Sequence, residues 1–490
     1  MKFSTKYTAG LLLCIALLSV MMLTGCAHTH SFGDWEETKA PTCQEKGQEM
    51  RACDCGETEI QEIEIDPEAH SWNEENMCEH CAQYKDTGVE FTFDGESSTY
   101  SVSGYTGTAA SVIIPSTYKG YPVTSIGLRA FASCDNLKSV TIPDSITYID
   151  DMAFAYCDGL RSVEIPGNVM RIGEFAFLDC DLLGSVIISD SVTDIGENAF
   201  TRCYNLKDIK VDENNMHFMS VDGNLYSKDG TVLIQYAIGK TNTSFVIPES
   251  VTSIGDYALE YGTRLESVTI GNNVTSIGNS AFAHCNLTYI DLHEGVTSIG
   301  KLAFYSCPNL KNINIAENNP SYMSVDGNLC SKDGTVLIQY AIGKTNTNFV
   351  IPDSVTVIGD NAFSLCKNLE SITIGNGVIS IEQSAFYSCS GLTSIEIPDS
   401  VTSISDSAFY LCRNLKSVTI GIGVTSIGSG AFSECVRLEG VTIENTNGWR
   451  CVASWDATSE TDISSDDLSD RSMAAKLFTS TYKSYDWNRS

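Results

Sequence analysis

Apolar and polar positions alternate along most of the chain in a unit of about 23 residues. Each unit reads approximately Leu-x-x-Val-x-Ile, a turn, Val-x-x-Ile-Gly, two variable positions and Ala-Phe. Successive phenylalanines are 22 or 23 residues apart, at Phe131, Phe154, Phe177, Phe200, then Phe282, Phe304, then Phe363, Phe386, Phe409 and Phe432. Short β-branched segments with alternating apolar residues are typical of strands. One unit cannot bury its apolar residues alone, so the pattern predicts a repeat solenoid, mostly β, with 23-residue coils.

The spacing more than doubles twice, from Phe200 to Leu259 and from Phe304 to Phe363, because of two nearly identical inserts at about 211–247 and 315–351. Segments 219–250 and 323–354 differ at only three positions, which indicates an internal duplication. Asp-Gly pairs between alternating apolar residues predict tight hairpin turns in both inserts. A calcium loop would need more carboxylates at closer spacing. We therefore expect a hairpin that protrudes from the coil or widens it.

A cysteine follows the Ala-Phe pair at a fixed distance of three residues, in register from coil to coil. These are Cys134, Cys157, Cys180, Cys203, Cys285, Cys307, Cys366, Cys389, Cys412 and Cys435. One interpretation is a ladder of disulfides or metal sites. The other, which we favour, is a small buried hydrophobic residue repeated by stacking, because free cysteine is among the most buried residue types.

Together, the VTSIG, Ala-Phe, Cys, Leu and Ile-Pro motifs resemble the BspA-type leucine-rich repeats of bacterial surface proteins. The resemblance covers roughly residues 100–445. It implies parallel strands, exposure outside the cell, and a role in adhesion or recognition.

The first residues are typical of a targeting segment. Lys2 and Lys6 precede an apolar run from Leu11 to Leu23, which is too short for a comfortable membrane span. The run ends in Leu-Thr-Gly-Cys26, which resembles the bacterial lipoprotein cleavage box. The resemblance implies a signal peptide over 1–25, lipid on Cys26, and a mature protein anchored on the outer side of the cell membrane. The alternative is an ordinary signal peptide with an incidental cysteine.

Residues 26–87 form a small module with a different, Cys/His-rich composition. Two closely spaced pairs could close a tetrahedral zinc site, with further candidate ligands nearby: Cys53, Cys55, Cys78 and Cys81, and alternatively His30, Cys43 and His70. The segment also resembles short Cys/His-rich units in surface proteins of Gram-positive anaerobes. Those units usually have two residues between the first pair, whereas one separates Cys53 from Cys55. Three interpretations stay open: a structural zinc site, disulfides, or free thiols in a flexible stalk.

Aromatic and polar segments flank the repeats. We assign residues 88–445 to the solenoid, which begins with a strand-rich N-terminal cap over 91–120. Residues 446–490 form a C-terminal cap or tail, in which a Ser- and Asp-rich tether over 454–470 precedes an aromatic cluster. Caps of this kind cover the terminal coils of a solenoid.

The charge balance, 30 basic against 62 acidic residues, argues against a nucleic-acid partner. None of the seven histidines lies in a nucleophile elbow or a metalloprotease helix motif, so we predict no enzyme and no cofactor for activity. The remaining hypotheses are an adhesin or receptor for host or neighbouring-cell macromolecules, and a lipoprotein that captures glycans or nutrients for uptake. Genes for a transporter or glycosidases nearby would favour the second.

Tyrosines recur at variable sites just before the ladder cysteines: Tyr156, Tyr261, Tyr305, Tyr387 and Tyr410. Tyrosine combines a large apolar area with a polar tip, which suits contact with a protein or glycan ligand. The alternative is that these rings pack on neighbouring coils and shield the core.

Overall fold

The computed structural model describes residues 31–42, 45–54, 56–66, 69, 71, 87–453 and 456–489, without the side chains of 456–459. The chain divides into two compact units, residues 1–85 and 86–490. The smaller unit contains an antiparallel sheet of β1 (Glu36–Lys39), β2 (Gly47–Ala52) and β3 (Thr58–Ile63), with β2 in the centre. The Arg51 guanidinium lies over the rings of Phe32 and Trp35, at 4.9 and 4.6 Å from their centroids.

The larger unit is a β-solenoid of about 15 turns with coils of about 23 residues and little helix. This confirms the predicted fold class. Equivalent strands pair in parallel and in register, as in Ile149 with Ile172. Each inward position therefore stacks on its counterpart in the next coil and becomes fully buried. Burying one such side chain stabilises the fold by about 1.5–3 kcal/mol, and every coil repeats the set.

The first block of coils begins with an antiparallel hairpin and continues in parallel strands. Its strands are β4 (Val89–Asp94), β5 (Thr99–Tyr105), β6 (Ser111–Ile113), β7 (Thr117–Tyr118), β8 (Tyr121–Ile126), β9 (Ser139–Thr141), β10 (Tyr148–Ile149), β11 (Ser162–Glu164), β12 (Arg171–Ile172), β13 (Ser185–Ile188), β14 (Asp194–Ile195) and β15 (Asp208–Val211). One sheet runs in the order β14-β12-β10-β8-β5-β4, and β6-β9 and β11-β13-β15 form sheets from the other strand of each coil.

The second block repeats this arrangement after the first insert. Its strands are β16 (Phe218–Val221), β17 (Asn224–Ser227), β18 (Val232–Gln235), β19 (Ser244–Val246), β20 (Ser253–Ile254), β21 (Ser267–Thr269), β22 (Ser276–Ile277), β23 (Tyr289–Leu292), β24 (Ser298–Ile299) and β25 (Asn312–Ile315). The main sheet of this block runs in the order β16-β17-β18-β20-β22-β24.

The third block begins at the second insert and ends at the C-terminal cap. Its strands are β26 (Tyr322–Val325), β27 (Asn328–Ser331), β28 (Val336–Gln339), β29 (Asn348–Val350), β30 (Val357–Ile358), β31 (Ser371–Thr373), β32 (Ser380–Ile381), β33 (Ser394–Ile397), β34 (Ser403–Ile404), β35 (Ser417–Ile420), β36 (Ser426–Ile427), β37 (Gly440–Ile443), β38 (Trp449–Ala453) and β39 (Asp456–Asp462). Two short helices follow, α1 (Ser465–Ser469) and α2 (Arg471–Lys476), then a π-helical turn (Leu477–Thr481) and β40 (Tyr485–Arg489).

Each insert is a hairpin whose last strand is itself a coil of the solenoid. In the first insert, β16 and β17 pair antiparallel around Asp222 and Gly223, which both have positive φ (49° and 70°) as a two-residue turn requires. Strand β18 pairs antiparallel with β17 on one side and parallel with β20 on the other. The predicted hairpins are therefore present, but they divide the main sheet into separate blocks.

The Ala-Phe segment of each coil is held by two residues in the left-handed region, two positions before and two after the phenylalanine. Around Phe154 these are Met152 (φ 55°) and Tyr156 (φ 62°). A non-glycine residue pays about 1–2 kcal/mol for this conformation. Bonds between coils offset the cost, since the N–H groups of Met152 and Phe154 donate to Glu174 and Ala176 of the next coil at 2.9 and 2.8 Å.

The ladder cysteines are buried, except for the half-buried Cys134 at the first coil, and are free thiols. Most donate to the backbone carbonyl of the aromatic or leucine residue one coil earlier. Cys157 donates to Phe131 at 3.0 Å, and Cys285 donates to Leu259 at 3.1 Å. The structure agrees with the small buried residue that we favoured and adds a hydrogen-bonding role that the sequence did not reveal.

Both ends of the solenoid are covered. At the N-terminal end, Tyr105 lies on Phe131, with 5.4 Å between ring centroids. At the other end the chain folds back, so that β40 pairs antiparallel with β36 and Trp487 lies opposite Ile427. The segment that we expected to be a polar tether contains β39 and α1 instead.

Candidate functional site: an aromatic stripe along the coils

The two residues after each Ala-Phe pair lie at the outer edge of the coil, next to the buried ring. Tyr305, Tyr387 and Tyr410 occupy the first of these positions, whereas Tyr156 and Tyr261 occupy the second, left-handed one (φ 62° and 58°). Because coils stack in register, residues at these positions in successive coils come together. We call Arg202, Tyr204, Tyr261, His284, Tyr305, Tyr387 and Tyr410 the aromatic stripe.

The central part of the stripe is a continuous stack of rings. The imidazole of His284 stacks on Tyr261 with 4.3 Å between centroids and an interplanar angle of 3°. On its other side His284 meets Tyr305 edge to face at 5.6 Å. Such arrangements are the favourable geometries for ring pairs. Burial, followed by the charge of Arg202, lowers the pKa of His284, so this imidazole is neutral at pH 7.

The stripe continues past the second insert. Tyr387 and Tyr410 stack with 5.7 Å between centroids. Two coils separate Tyr305 from Tyr387, and they contribute the small buried residues Ala341 and Ser364 at the equivalent positions. Burial raises the pKa of Tyr305. The rings of Tyr261, Tyr305, Tyr387 and Tyr410 are all half-buried, so each combines packing with an exposed edge.

Arg202 spans the first insert coil. Its guanidinium donates to the Tyr261 hydroxyl at 2.7 Å, lies 4.7 Å from the centroid of that ring, and pairs with Asp179 at 3.1 Å. The insert coil contributes only the buried apolar residues Ala237 and Ile238 at these two positions. The long arginine side chain therefore reaches over the coil, and the row of side chains is not interrupted.

Glu260 adds a titratable group beside the stripe. Burial raises its pKa to about 7, and the nearby Arg202 partly opposes this shift. Near neutral pH the carboxyl group is thus divided between its neutral and ionised forms, and it can serve as a hydrogen-bond donor as well as an acceptor.

The stripe unites four of the five predicted tyrosines, and Tyr156 lies apart from them. Tyr156 is 43% exposed and, among the described residues, contacts no other ring. Sequence reasoning missed Arg202, Tyr204, His284 and Glu260 as members of the row. The distance of 59 residues from Arg202 to Tyr261 would have found the first of them, had the insert been interpreted as a full coil.

Of the predicted zinc ligands, only Cys53 is among the described residues. It is buried at the end of the small sheet, opposite Phe32, and its N–H donates to Glu57 at 2.8 Å. His30, Cys43, Cys55, His70, Cys78 and Cys81 lie outside the described residues, as does the predicted lipidation site Cys26. No group of three or more His, Cys, Asp or Glu within the described ranges could hold a metal ion. None of the helices in the described ranges is long and apolar enough to cross a membrane.

Comparison with known proteins gives a specific family match. The family model described as "BspA type Leucine rich repeat region" matches residues 108–223, 236–326 and 339–448 in six copies. A comparison with curated proteins found no significant match.

Solved structures of three bacterial proteins are similar to this chain. A leucine rich cell surface protein from Faecalibacterium prausnitzii is 30% identical, with 74% of this chain and 95% of that one covered and a TM-score of 0.45. A leucine-rich repeat protein from Eubacterium ventriosum is 26% identical, with 66% and 93% covered and a TM-score of 0.46. One from Bacteroides ovatus is 25% identical, with 74% and 94% covered and a TM-score of 0.37.

Proposed function

Because the chain belongs to the BspA-type leucine-rich-repeat family, we propose that it is a cell-surface recognition or adhesion protein that binds macromolecules on host or neighbouring cells through its solenoid. The observation that carries this proposal is the aromatic stripe, in which half-buried rings stack along successive coils on both sides of the second insert and Arg202 bridges the first insert. The proposal includes no catalytic step.

The chemistry of the stripe suits a contact surface. Outward strand positions carry small or charged residues such as Ser139, Thr141 and Glu370, which offer hydrogen bonds but few strong anchors. The stripe concentrates tyrosine and arginine, the residue types that are enriched at binding hot spots. Its rings are already held by neighbouring rings, so little side-chain entropy is lost on binding.

The test replaces three rings of the stripe that precede ladder cysteines. We expect the triple variant Tyr305→Ser, Tyr387→Ser, Tyr410→Ser to lose at least about 2 kcal/mol of affinity for a partner first identified on arrays of host matrix proteins and glycans, with little change in melting temperature. The matched control is Tyr289→Ser, which removes an exposed tyrosine from β23. Retained affinity together with a lowered melting temperature would make the stripe a packing feature and refute the proposal.

We also propose that lipid on Cys26 anchors the protein on the outer side of the cell membrane. The motif Leu-Thr-Gly-Cys26 supports this. Mass spectrometry of the mature N-terminus should find a lipidated cysteine, and Cys26→Ala should release the protein from membranes. An unmodified N-terminus at another residue would contradict the anchor.

For the N-terminal module we propose a structural zinc site formed by Cys53, Cys55, Cys78 and Cys81. The short spacing within each cysteine pair supports it, because neighbouring thiolates can place two ligands on one turn. Metal analysis of the full chain should find about one zinc, which is lost when Cys78 and Cys81 are replaced by serine. A metal-free protein with intact disulfides between these cysteines would refute the zinc site and support the disulfide interpretation.

A further inference from the structure

Each insert opens a cleft in the solenoid at equivalent positions. The first, cleft I, lies between the coil of Phe200 and the coil of Leu259, and its volume is about 250 Å³. The second, cleft II, lies between the coils of Phe304 and Phe363, and its volume is about 430 Å³. The second value falls within the usual range of small-molecule sites and the first falls below it.

The clefts exist because the insert coil is two residues short. In a regular coil the inward isoleucine precedes the aromatic ring by five positions, as in Ile358 and Phe363. In the insert coil Leu337 pairs with Ile358, and the Tyr340 N–H donates to Ala362, so Tyr340 takes the place of the phenylalanine. Only three positions separate Leu337 from Tyr340. The insert coil therefore lacks the two residues that would lie between the turns of the coils on either side of it.

Because these two residues are missing, backbone hydrogen-bonding groups of the neighbouring coils face each other across cleft II. In regular coils the N–H groups equivalent to those of Leu302 and Phe304 donate to the next coil, as those of Ser384 and Phe386 do at 3.0 and 2.7 Å. Within the described chain, neither Leu302 nor Phe304 has a partner for its N–H, and the Asp360 carbonyl on the opposite wall accepts no hydrogen bond. All three residues line the cleft.

A ligand that fits must accept a hydrogen bond from one wall and donate one to the other. A secondary amide carries both groups. The gap is closed at its ends by the pairing of Leu337 with Ile358 and by the bond between Tyr340 and Ala362, so a peptide strand cannot run through it. A pendant amide can enter from the open side, where Lys301 and Gln383 are exposed partners for hydroxyl groups.

From these observations we propose that cleft II binds the acetamido group of an N-acetylated amino sugar. The amide carbonyl accepts from the Leu302 N–H, the amide N–H donates to the Asp360 carbonyl, and the methyl group lies on the apolar floor formed by Ala303 and Leu329. The sugar hydroxyls face the polar rim. This site is separate from the aromatic stripe and does not depend on it.

Cleft I supplies a natural control, because it is smaller and a tyrosine stands where cleft II has an asparagine. Tyr257 takes the position of Asn361, and both are left-handed, with φ of 58° and 56°. The Tyr257 hydroxyl lies near Glu197 and Asn198 on the opposite wall. Glu197 also replaces the positive charge of Lys301. Cleft I is therefore narrower and more acidic than its counterpart.

The experiment measures binding of N-acetylglucosamine oligomers to the full chain by calorimetry, with glucosamine oligomers, which lack the acetyl group, as the ligand control. We expect one site per chain for the acetylated form. Asn361→Tyr should weaken it at least about tenfold with an unchanged melting temperature, since Tyr257 already tolerates this residue at the same φ. Tyr257→Asn should raise the number of sites from one to two.

Several outcomes would overturn the assignment: no binding by the wild-type chain, equal binding of the non-acetylated oligomer, affinity unaffected by Asn361→Tyr, or displacement of the sugar by a short alanine peptide at the same site. If Asn361→Tyr fails to fold, the number of binding sites on the Tyr257→Asn variant still tests the proposal. The triple tyrosine variant of the stripe should leave this binding intact, so failure of the cleft and failure of the stripe give different results.

Discussion

The thiol of Cys180 donates a hydrogen bond to the backbone carbonyl of Phe154, one coil earlier, at 3.1 Å. Both residues are fully buried. The carbonyl lies at a turn between left-handed residues, where the regular strand pairing does not reach it. A small side chain that is apolar enough to be buried and still able to donate meets both requirements, which explains why cysteine recurs there.

Replacing Cys180 by alanine should lower the free energy of unfolding by about 1–2 kcal/mol, because it creates a small cavity and removes one of the two hydrogen bonds that the Phe154 carbonyl accepts. The bond from the Cys157 N–H, at 3.3 Å, remains. Chemical denaturation monitored by circular dichroism would measure the change. Cys134→Ala is the matched control, since Cys134 is half-buried at the first coil, and its effect should stay within about 0.5 kcal/mol. Equal effects at the two positions would contradict the role of burial.

The ladder thiols should resist alkylation in the native protein at pH 8. Burial raises the pKa of Cys307 to about 12, and only the thiolate reacts. The hydrogen bond with Cys157 lowers the pKa of the half-buried Cys134, so Cys134 should react first within the ladder. Peptide mapping after iodoacetamide treatment would give the order. A native disulfide between Cys134 and Cys157 would contradict the prediction.

Glu260→Gln should change how stability depends on pH. The pKa of this carboxyl is about 7 in the folded protein and about 4.5 when exposed, so the folded state holds the proton more tightly. Its contribution is present below pH 4.5 and is lost as the pH rises to about 7. The variant should therefore be more stable than the wild type at pH 8, by about 1 kcal/mol after allowance for partial exposure.

Melting curves at pH 5 and pH 8 would measure this effect. Glu266→Gln, on an exposed strand end of the same coil, is the control and should show the same stability as the wild type at both values. If Glu260→Gln lost stability at pH 8, the ionised carboxylate would be stabilised by Arg202 more than burial opposes it.

Trp487→Ala should destabilise the C-terminal cap. The indole is buried, lies 4.3 Å from the Phe478 ring, and sits opposite Ile427 in the last coil. Losing it should cost about 3–5 kcal/mol and expose the edge of β36, which then becomes available for pairing with other chains. Hydrogen exchange at Ser426 and Ile427 and light scattering would detect both effects. Met473→Ala, at an exposed position of α2, should leave both unchanged.

The sequence predicted the solenoid because the signal repeats. Phe131, Phe154 and Phe177 recur at a fixed spacing, and in the structure their rings stack at 5.0 and 5.2 Å. The residues with positive φ could not be predicted from the sequence, because Met152, Tyr257 and Arg202 belong to types that rarely adopt this conformation. Only the Asp-Gly turns of the two inserts, at Asp222 and Gly223 and at Asp326 and Gly327, were evident beforehand, because glycine marks the conformation.

The aromatic stripe was predicted in part. Four tyrosines were recognised individually, but not the His284 ring that links Tyr261 to Tyr305, nor the contact that Arg202 makes with Tyr261 across an insert coil. That contact depends on Tyr236 replacing phenylalanine in a coil that is two residues shorter than its neighbours. Because the insert was interpreted only as a hairpin, the sequence predicted neither the contact between Arg202 and Tyr261 nor the two clefts.

The two inserts have a consequence for how this molecule changes over generations. Their nearly identical segments are offset by 104 residues, from Met219 to Met323, and each begins and ends at the same point of the coil. Unequal recombination between the encoding stretches would remove or add four whole coils, those of Tyr236, Leu259, Phe282 and Phe304. Register and both caps would be preserved, so the solenoid would shorten or lengthen in steps of about 19 Å. Lineages can thus differ in reach without passing through a misfolded intermediate sequence.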